Sequence, residues 1–201
     1  MPAKKNLEKA RRHQILDAAE KVFVKRGIDK ARMDDIVQES GLSKGALYWY
    51  FKSKDAIVSA LVEHVLISEM REAEALVQAE GSASERLKLF VNYAVREYKR
   101  FEKVLPLAYE FVAHAARSKA VRETVVLYFN RYENILAEVI QQGIDSGEFK
   151  PRDPDTVAIS IISMYEGMAM LWFIEPELVD WDRMGAEPID IMLAGLTVEK
   201  G

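Results

Sequence analysis

Residues 41–55 read Gly-Leu-Ser-Lys-Gly-Ala-Leu-Tyr-Trp-Tyr-Phe-Lys-Ser-Lys-Asp. These side chains are suited to gripping phosphate rather than to breaking bonds. Gly41 can take the positive φ that a tight turn between helices requires. Ser43 can cap a helix by accepting from a backbone N–H two or three residues on. Lys44 and Gly45 then fall in the first helical turn, where free N–H groups and the helix dipole favour an anion. Tyr48, Trp49 and Tyr50 are consecutive, so they point in three directions and cannot all be buried. Leu47 and Phe51, four apart, share the inner face. Upstream, residues 34–39 predict a short helix with Asp34 and Asp35 in its first turn and Ile36 and Val37 facing inward. Ser40-Gly41-Leu42 makes the turn. The pattern is a helix-turn-helix whose second helix opens at Ser43, although a helical hairpin without a ligand fits the same window.

The chain resembles the TetR family of transcriptional regulators from its N-terminus to about Leu61. The resemblance rests on Ile15-Leu16-Asp17-Ala18-Ala19, Val22-Phe23, Gly27, Asp35-Ile36-Val37, the run from Ser40 to Tyr48, Tyr50-Phe51 and Ser53-Lys54-Asp55. It implies that Ser43, Lys44, Gly45, Ala46, Tyr48, Trp49, Tyr50 and Lys54 approach DNA. Of these, Ser43, Tyr48, Tyr50 and Lys54 are expected to position the protein on phosphates, and Lys44, Ala46 and Trp49 to meet base edges or thymine methyls. One position departs from the family. A Thr or Ser usually stands just before the second helix, whereas here the chain has Ala31 and Arg32. The hydroxyl cap is lost, and Arg32 can supply the phosphate contact in its place.

Charge agrees with a DNA-binding head. The formal net charge of the 201 residues is −4, but residues 1–54 hold 13 Lys+Arg and 7 Asp+Glu, a surplus of +6, leaving −10 for the remainder. A basic head on an acidic body is expected where only one end touches phosphate. The chain has no cysteine, so neither disulfides nor thiolate chemistry contribute. No apolar run follows the basic Met1–Lys5 start, and no stretch of about 20 uncharged apolar residues occurs. These features predict a cytoplasmic protein without a transmembrane segment.

The elements that must carry the motif are all helical. The first is expected over about Glu8–Arg26, with Ile15, Ala18, Ala19, Val22 and Phe23 inward and Gly27 as C-cap. Ser53 is expected to cap a long fourth helix from Lys54 to about Gln78, with Ile57, Leu61, Val65 and the Met70/Ala73 region apolar. Ser84 is expected to cap a helix running to about Phe101. Further helices are predicted over about Pro106–Ala116, Ala120–Ser146 (ended by Gly147), Pro154–Phe173 and Pro188–Val198. The loop from Glu175 to Glu187, with Trp181 in it, has no assigned role. The fold class is therefore all-α, with a DNA-binding domain at 1–53 and a helical ligand-binding and dimerisation domain at 54–201. The helix from Pro154 is apolar on every side and needs cover on every side. Either it is the central helix of a monomer or it pairs with a second copy. The family resemblance implies the pair, through the last two helices, with Ile159, Ile162, Met192 and Leu196 in the interface.

No catalytic or metal-binding pattern appears. His13, His64 and His114 are scattered, no His-Glu-x-x-His, P-loop or Gly-x-Ser-x-Gly occurs, and no cofactor or metal is expected. Aromatic and methionine side chains in the body, with Tyr93, Phe101, Tyr109, Tyr128, Tyr132, Met168 and Trp172 as the candidates, can line a small-molecule site; singly, each also fits ordinary core. Glu97, Glu110, Glu133 and Glu166 are candidates to pair with a cationic ligand, though solvated helix faces explain them equally well. The reading is a homodimeric, ligand-responsive regulator, a repressor, on a pseudo-palindromic double-stranded operator, released by a small-molecule effector. A helical ligand-binding or adaptor protein without specific operator binding is the alternative, and a helical enzyme the third class, with no substrate named by the sequence.

Overall fold

The computed structural model describes residues 2–64, 70–100, 102 and 105–198, with side chains described from Asn6 and again from Ala73. Val65, the Met70 side chain and Phe101 lie outside the described residues. Helices run in the order α1 (Pro2–Arg26), α2 (Met33–Ser40), α3 (Lys44–Tyr50), α4 (Lys54–Val62), α5 (Met70–Val77), α6 (Ala83–Arg100), α7 (Leu105–Ala115), α8 (Lys119–Asp145), α9 (Pro154–Ile174), α10 (Trp181–Met184) and α11 (Glu187–Leu196). Among the described residues the only β feature is a bridge between Phe149 and Thr197.

The chain divides into two compact units. One joins Met1–Ser68 to Pro106–Leu127, and the other joins Glu69–Leu105 to Tyr128–Gly201. This differs from a border at residue 53, because the first turn of α4 is tied into the head. In the first unit, Ile15, Ala19 and Phe23 of α1 close over Ile36, Leu47, Phe51, Ile57 and Leu61, all essentially fully buried. These side chains recur at helical spacing, which is why α1 and the three short helices after it assemble around one core. Gly41 ends α2 at φ 67°, in the left-handed region where a Cβ is strained. Ser43 and Ser53 cap α3 and α4 by accepting from Ala46 N–H and Ala56 N–H, each at 3.2 Å.

In the second unit the cap of α6 is Ser82, not Ser84. Ser82 Oγ accepts from Glu85 N–H (3.2 Å) while Glu85 Oε2 accepts from Ser82 N–H (2.8 Å). This reciprocal pair is the Ser-x-x-Glu capping box, and the sequence Ser82-Ala83-Ser84-Glu85 carries it in plain view. Glu148 accepts from Ala83 and Ser84 N–H at 2.8 and 2.9 Å and satisfies two more donors at the same helix start. The α8–α9 connection is pinned to the end of α11 by Lys150 N–H to Leu196 O (2.8 Å) and Val198 N–H to Glu148 O (3.0 Å).

Candidate functional site

The recognition segment is α3 with its flanking turns. Leu47 alone is buried on this helix. Trp49 is 61% exposed and packs edge-on against Tyr50 at 4.6 Å. A Cβ on Gly45 would meet nothing within 4 Å, so the backbone there is open to close approach. Ser43, Lys44, Gly45 and Trp49 are exposed, while Ala46, Tyr48 and Tyr50 are half-buried. The structure thus brings seven of the expected contact residues onto one short surface element. Lys44 Nζ pairs with Asp34 Oδ1 at 2.7 Å, and the hydrogen bond to Asp34, with its charge, raises the Lys44 pKa. Arg32 is exposed at the start of α2; its backbone N–H donates to Asp35 Oδ2 (2.9 Å), the carboxylate half of a capping box, while its own side chain makes no cap hydrogen bond in place of the missing hydroxyl.

Lys54 is tied into the head. Its ammonium donates to the carbonyls of Ile28 (2.6 Å), Asp29 (3.2 Å) and Ala31 (3.1 Å). An ammonium has three donors, and these three bonds use them. Lys54 thus clamps the α1–α2 turn to the start of α4. No sequence pattern marks carbonyl convergence across 23 to 26 residues. The same turn is held from a second side: Glu110 Oε2 on α7 accepts from Ile28 N–H at 2.6 Å. Asp55, next to the clamp, accepts from Ser118 Oγ (2.6 Å) and lies 3.1 Å from His114 Nε2. These two hydrogen bonds hold the Asp55 carboxyl below its usual range. His114 Nδ1 faces Asp29 at 3.5 Å, and Arg117 pairs with Asp29 at 2.8 Å. A histidine scattered in sequence is thus part of a polar joint binding α4, the α1–α2 turn and the α7–α8 turn. His13 and His64, also distant in sequence, meet edge-to-face at 5.1 Å.

In the second unit, Tyr128 and Tyr132 of α8 meet edge-to-face at 4.9 Å, and Phe90 of α6 caps Tyr132 at 5.6 Å. Tyr98 of α6 stacks on Trp181 at 5.5 Å, and Trp172 of α9 meets Trp181 edge-on at 6.1 Å. Tyr98 Oη donates to Glu166 Oε1 at 3.2 Å. Burial pushes the Glu166 carboxyl up despite that bond. Burial, with the nearby Tyr132, Glu166 and Tyr98, pushes the Tyr128 hydroxyl well above its ordinary value. The unassigned loop places Trp181. Asp180 Oδ1 caps α10 by accepting from Asp182 and Arg183 N–H, and Tyr165 Oη donates to Gly185 O at 2.9 Å. A Cβ on Gly185 would fall 2.5 Å from Trp181 O, so only glycine fits there. Of the candidate ligand residues, Tyr128, Tyr132 and Trp172 join this cluster, and Met168 is half-buried one turn before Trp172. Tyr93 is buried beneath the Arg96 guanidinium at 5.3 Å. Tyr109 belongs to the other unit.

One exposed apolar surface lies on α9 and α11. Ile159, Met170, Ile174 and Ile191 are exposed, Ile174 and Ile191 to 65% and 69%. Ile162 and Met192 are half-buried. Leu196 is 7% exposed and shares the inward stripe of Ile189 and Leu193. The helix α9 is long and apolar enough to cross a bilayer by length and composition, although Asp155 and Glu166 interrupt it, so it is not an uncharged run. A single such helix is weak evidence for a span.

Residues 15–61 match the family described as bacterial regulatory proteins, tetR family, and residues 80–196 match the tetracyclin repressor-like C-terminal domain. The chain belongs to the TetR family. It is 28% identical over 177 residues to the HTH-type transcriptional regulator TtgR of Pseudomonas putida, covering 84% of this chain and 83% of that protein. It is 22% identical over 194 residues to the HTH-type transcriptional repressor KstR2 of Mycolicibacterium smegmatis, covering 96% and 93%. Among solved structures it is similar to SmeT, the repressor of the Stenotrophomonas maltophilia multidrug efflux pump SmeDEF, at TM-score 0.76 and 25% identity over 94% of this chain and 91% of that one. A SmeT–triclosan complex gives TM-score 0.81 at 25% identity, over 94% and 93%. This TetR-family protein is thus a ligand-responsive, DNA-binding transcriptional regulator rather than an enzyme.

Proposed function

We propose that the protein is a homodimeric repressor whose α3 enters the major groove of a pseudo-palindromic operator. The observation that carries this reading is the composition of α3: Leu47 anchors it, and Lys44, Gly45 and Trp49 stand exposed at its start and outer face. Lys44, Ala46 and Trp49 read base edges. Ser43, Tyr48, Tyr50 and Arg32 hold phosphates. Two heads related by a twofold axis require half-sites about 34 Å apart. The partner protomer covers the apolar face formed by Ile159, Ile162, Met170, Ile174, Ile191 and Met192, since a monomer rarely leaves so much apolar surface in water. An effector enters the aromatic cluster of the body, as the triclosan complex of SmeT suggests by analogy. It weakens DNA binding only by its difference in affinity between two states. A hundred-fold loss of affinity requires about 2.7 kcal/mol of coupling.

Fluorescence anisotropy with labelled duplexes from the DNA flanking the gene tests the reading. The expected result is tight, salt-dependent binding to one pseudo-palindrome, abolished by inserting half a helical turn between half-sites. Equal affinity for every duplex, or binding indifferent to that insertion, overturns it.

A further inference from the structure

Glu166 is anomalous among the acids of the body. Glu97 lies 3.3 Å from Arg100 and 3.8 Å from Arg96. Glu148 serves the start of α6, and Glu74 pairs with Arg131 at 2.5 Å. Glu166 sits on α9 with no Lys, Arg or His within ion-pair distance among the described residues, and Tyr98 Oη is its one hydrogen-bond donor. A partly buried carboxylate costs free energy unless a cation or several donors compensate it. Its partner Tyr98 stacks on Trp181 at 5.5 Å, with Trp172 edge-on to Trp181 at 6.1 Å, and Tyr128, within electrostatic reach of Glu166 and Tyr98, meets Tyr132 at 4.9 Å. Aromatic faces attract cations, and a carboxylate among them supplies the counter-charge. The Trp181 indole N–H is buried beside these rings with no acceptor among the described residues, a second polar group that a ligand could satisfy. Burial raises the Glu166 pKa, which fits a carboxylate lacking its partner.

We infer that Glu166 and these rings form the recognition element of the effector site, and that its effector class is organic cations bearing an aromatic or alkyl body. The inference deepens the reading of the body as an effector-sensing domain and rests on it.

The test uses the full-length protein without DNA. Binding of benzyltrimethylammonium and of its uncharged carbon isostere, neopentylbenzene, is followed by tryptophan emission. Wild type should prefer the cation by at least about tenfold. Glu166→Gln should reduce that preference at least about tenfold while retaining the isostere. Asp155→Asn, which removes an exposed acid from the first turn of α9, should leave it unchanged. Equal affinity of wild type for the two probes overturns the inference without need of any variant. So does a Glu166→Gln protein that keeps the full preference. A separate anisotropy measurement on wild type, with operator, asks whether benzyltrimethylammonium releases DNA. Failure to bind any duplex would sink the regulator reading and leave the cation measurement standing.

Discussion

Replacing Lys54 by Met separates two roles that give different signatures. Met keeps most of the aliphatic stem and removes the ammonium that the carbonyls of Ile28, Asp29 and Ala31 share. Ile28 and Ala31 are buried, so water does not fully replace the lost donor. A hydrogen bond to a charged group contributes about 1.5–3 kcal/mol. Lys54 is half-exposed, and its three bonds share one ammonium, so the lower half of that range applies, about 1.5–2 kcal/mol. At about 2–4 °C per kcal/mol for chains of this size, melting should fall by about 3–8 °C. Salt dependence is the discriminating readout. A residue that touches phosphate contributes about 0.9 to the slope of log K against log salt, and both heads of a dimer lose it together, about 1.8 in all. The clamp predicts an almost unchanged slope with weaker binding and a lower melting temperature. Scanning calorimetry measures the melting temperature, and anisotropy across a salt series measures the slope. A slope reduced by about 1.8 with melting unaltered would refute the clamp and restore Lys54 to the phosphate backbone.

Ser43→Ala removes the cap of α3 and should cost about 0.5–2 kcal/mol in the head. Faster amide exchange at Ala46 and weaker operator binding should accompany it, and Ser43→Thr should recover both. Asp34→Asn frees Lys44 from its 2.7 Å partner and removes a negative charge beside the groove. Operator affinity should rise about two- to fivefold at low salt and converge with wild type at high salt; lower affinity would mean the pair positions Lys44. The Asp55 pKa is depressed, so its contribution is complete above the unfolded value of about 3.9 and is lost as pH falls through the folded value. The stability gap between wild type and Asp55→Asn should be constant above about pH 5 and close below about pH 4 in urea titrations. A gap that does not narrow at all as pH falls below about 4 would show that packing, not the carboxylate, is responsible. The double substitution Ile174→Glu with Ile191→Glu should give monomers by sedimentation, and intact dimers would place the interface elsewhere.

The recognition helix was legible because its chemistry is local. A cap, a dipole and an i, i+4 anchor lie within one short segment, and the structure places Ser43, Gly41, Leu47 and Phe51 as their types demand. The head core was legible for the same reason, since Ile15, Ala19 and Phe23 repeat at helical spacing. Long-range polar work was not. Lys54 reads as a basic residue in a basic head, and only the fold reveals three carbonyls converging on it. His114 and Ser118 carry no spacing relation to Asp55, yet they meet it. The inward stripe of α11 was not legible, because the helix is apolar over more than one face and composition does not say which one faces inward. Trp181 sat in a loop without helical period, so its place against Tyr98 followed from tertiary structure alone.

The polar joint constrains how a signal reaches DNA. The first turn of α4 is bound to the α1–α2 turn through Lys54 and to the α7–α8 turn through Asp55, and Glu110 on α7 holds Ile28 N–H. A head fastened at three points moves with α7 and the start of α8 rather than swinging on α4 alone. Each tie of the joint is a charged hydrogen bond worth about 1.5–3 kcal/mol, so the loss of one is enough to loosen the α1–α2 turn against α7 while the fully buried Ile15, Phe23, Leu47 and Ile57 keep the head core closed.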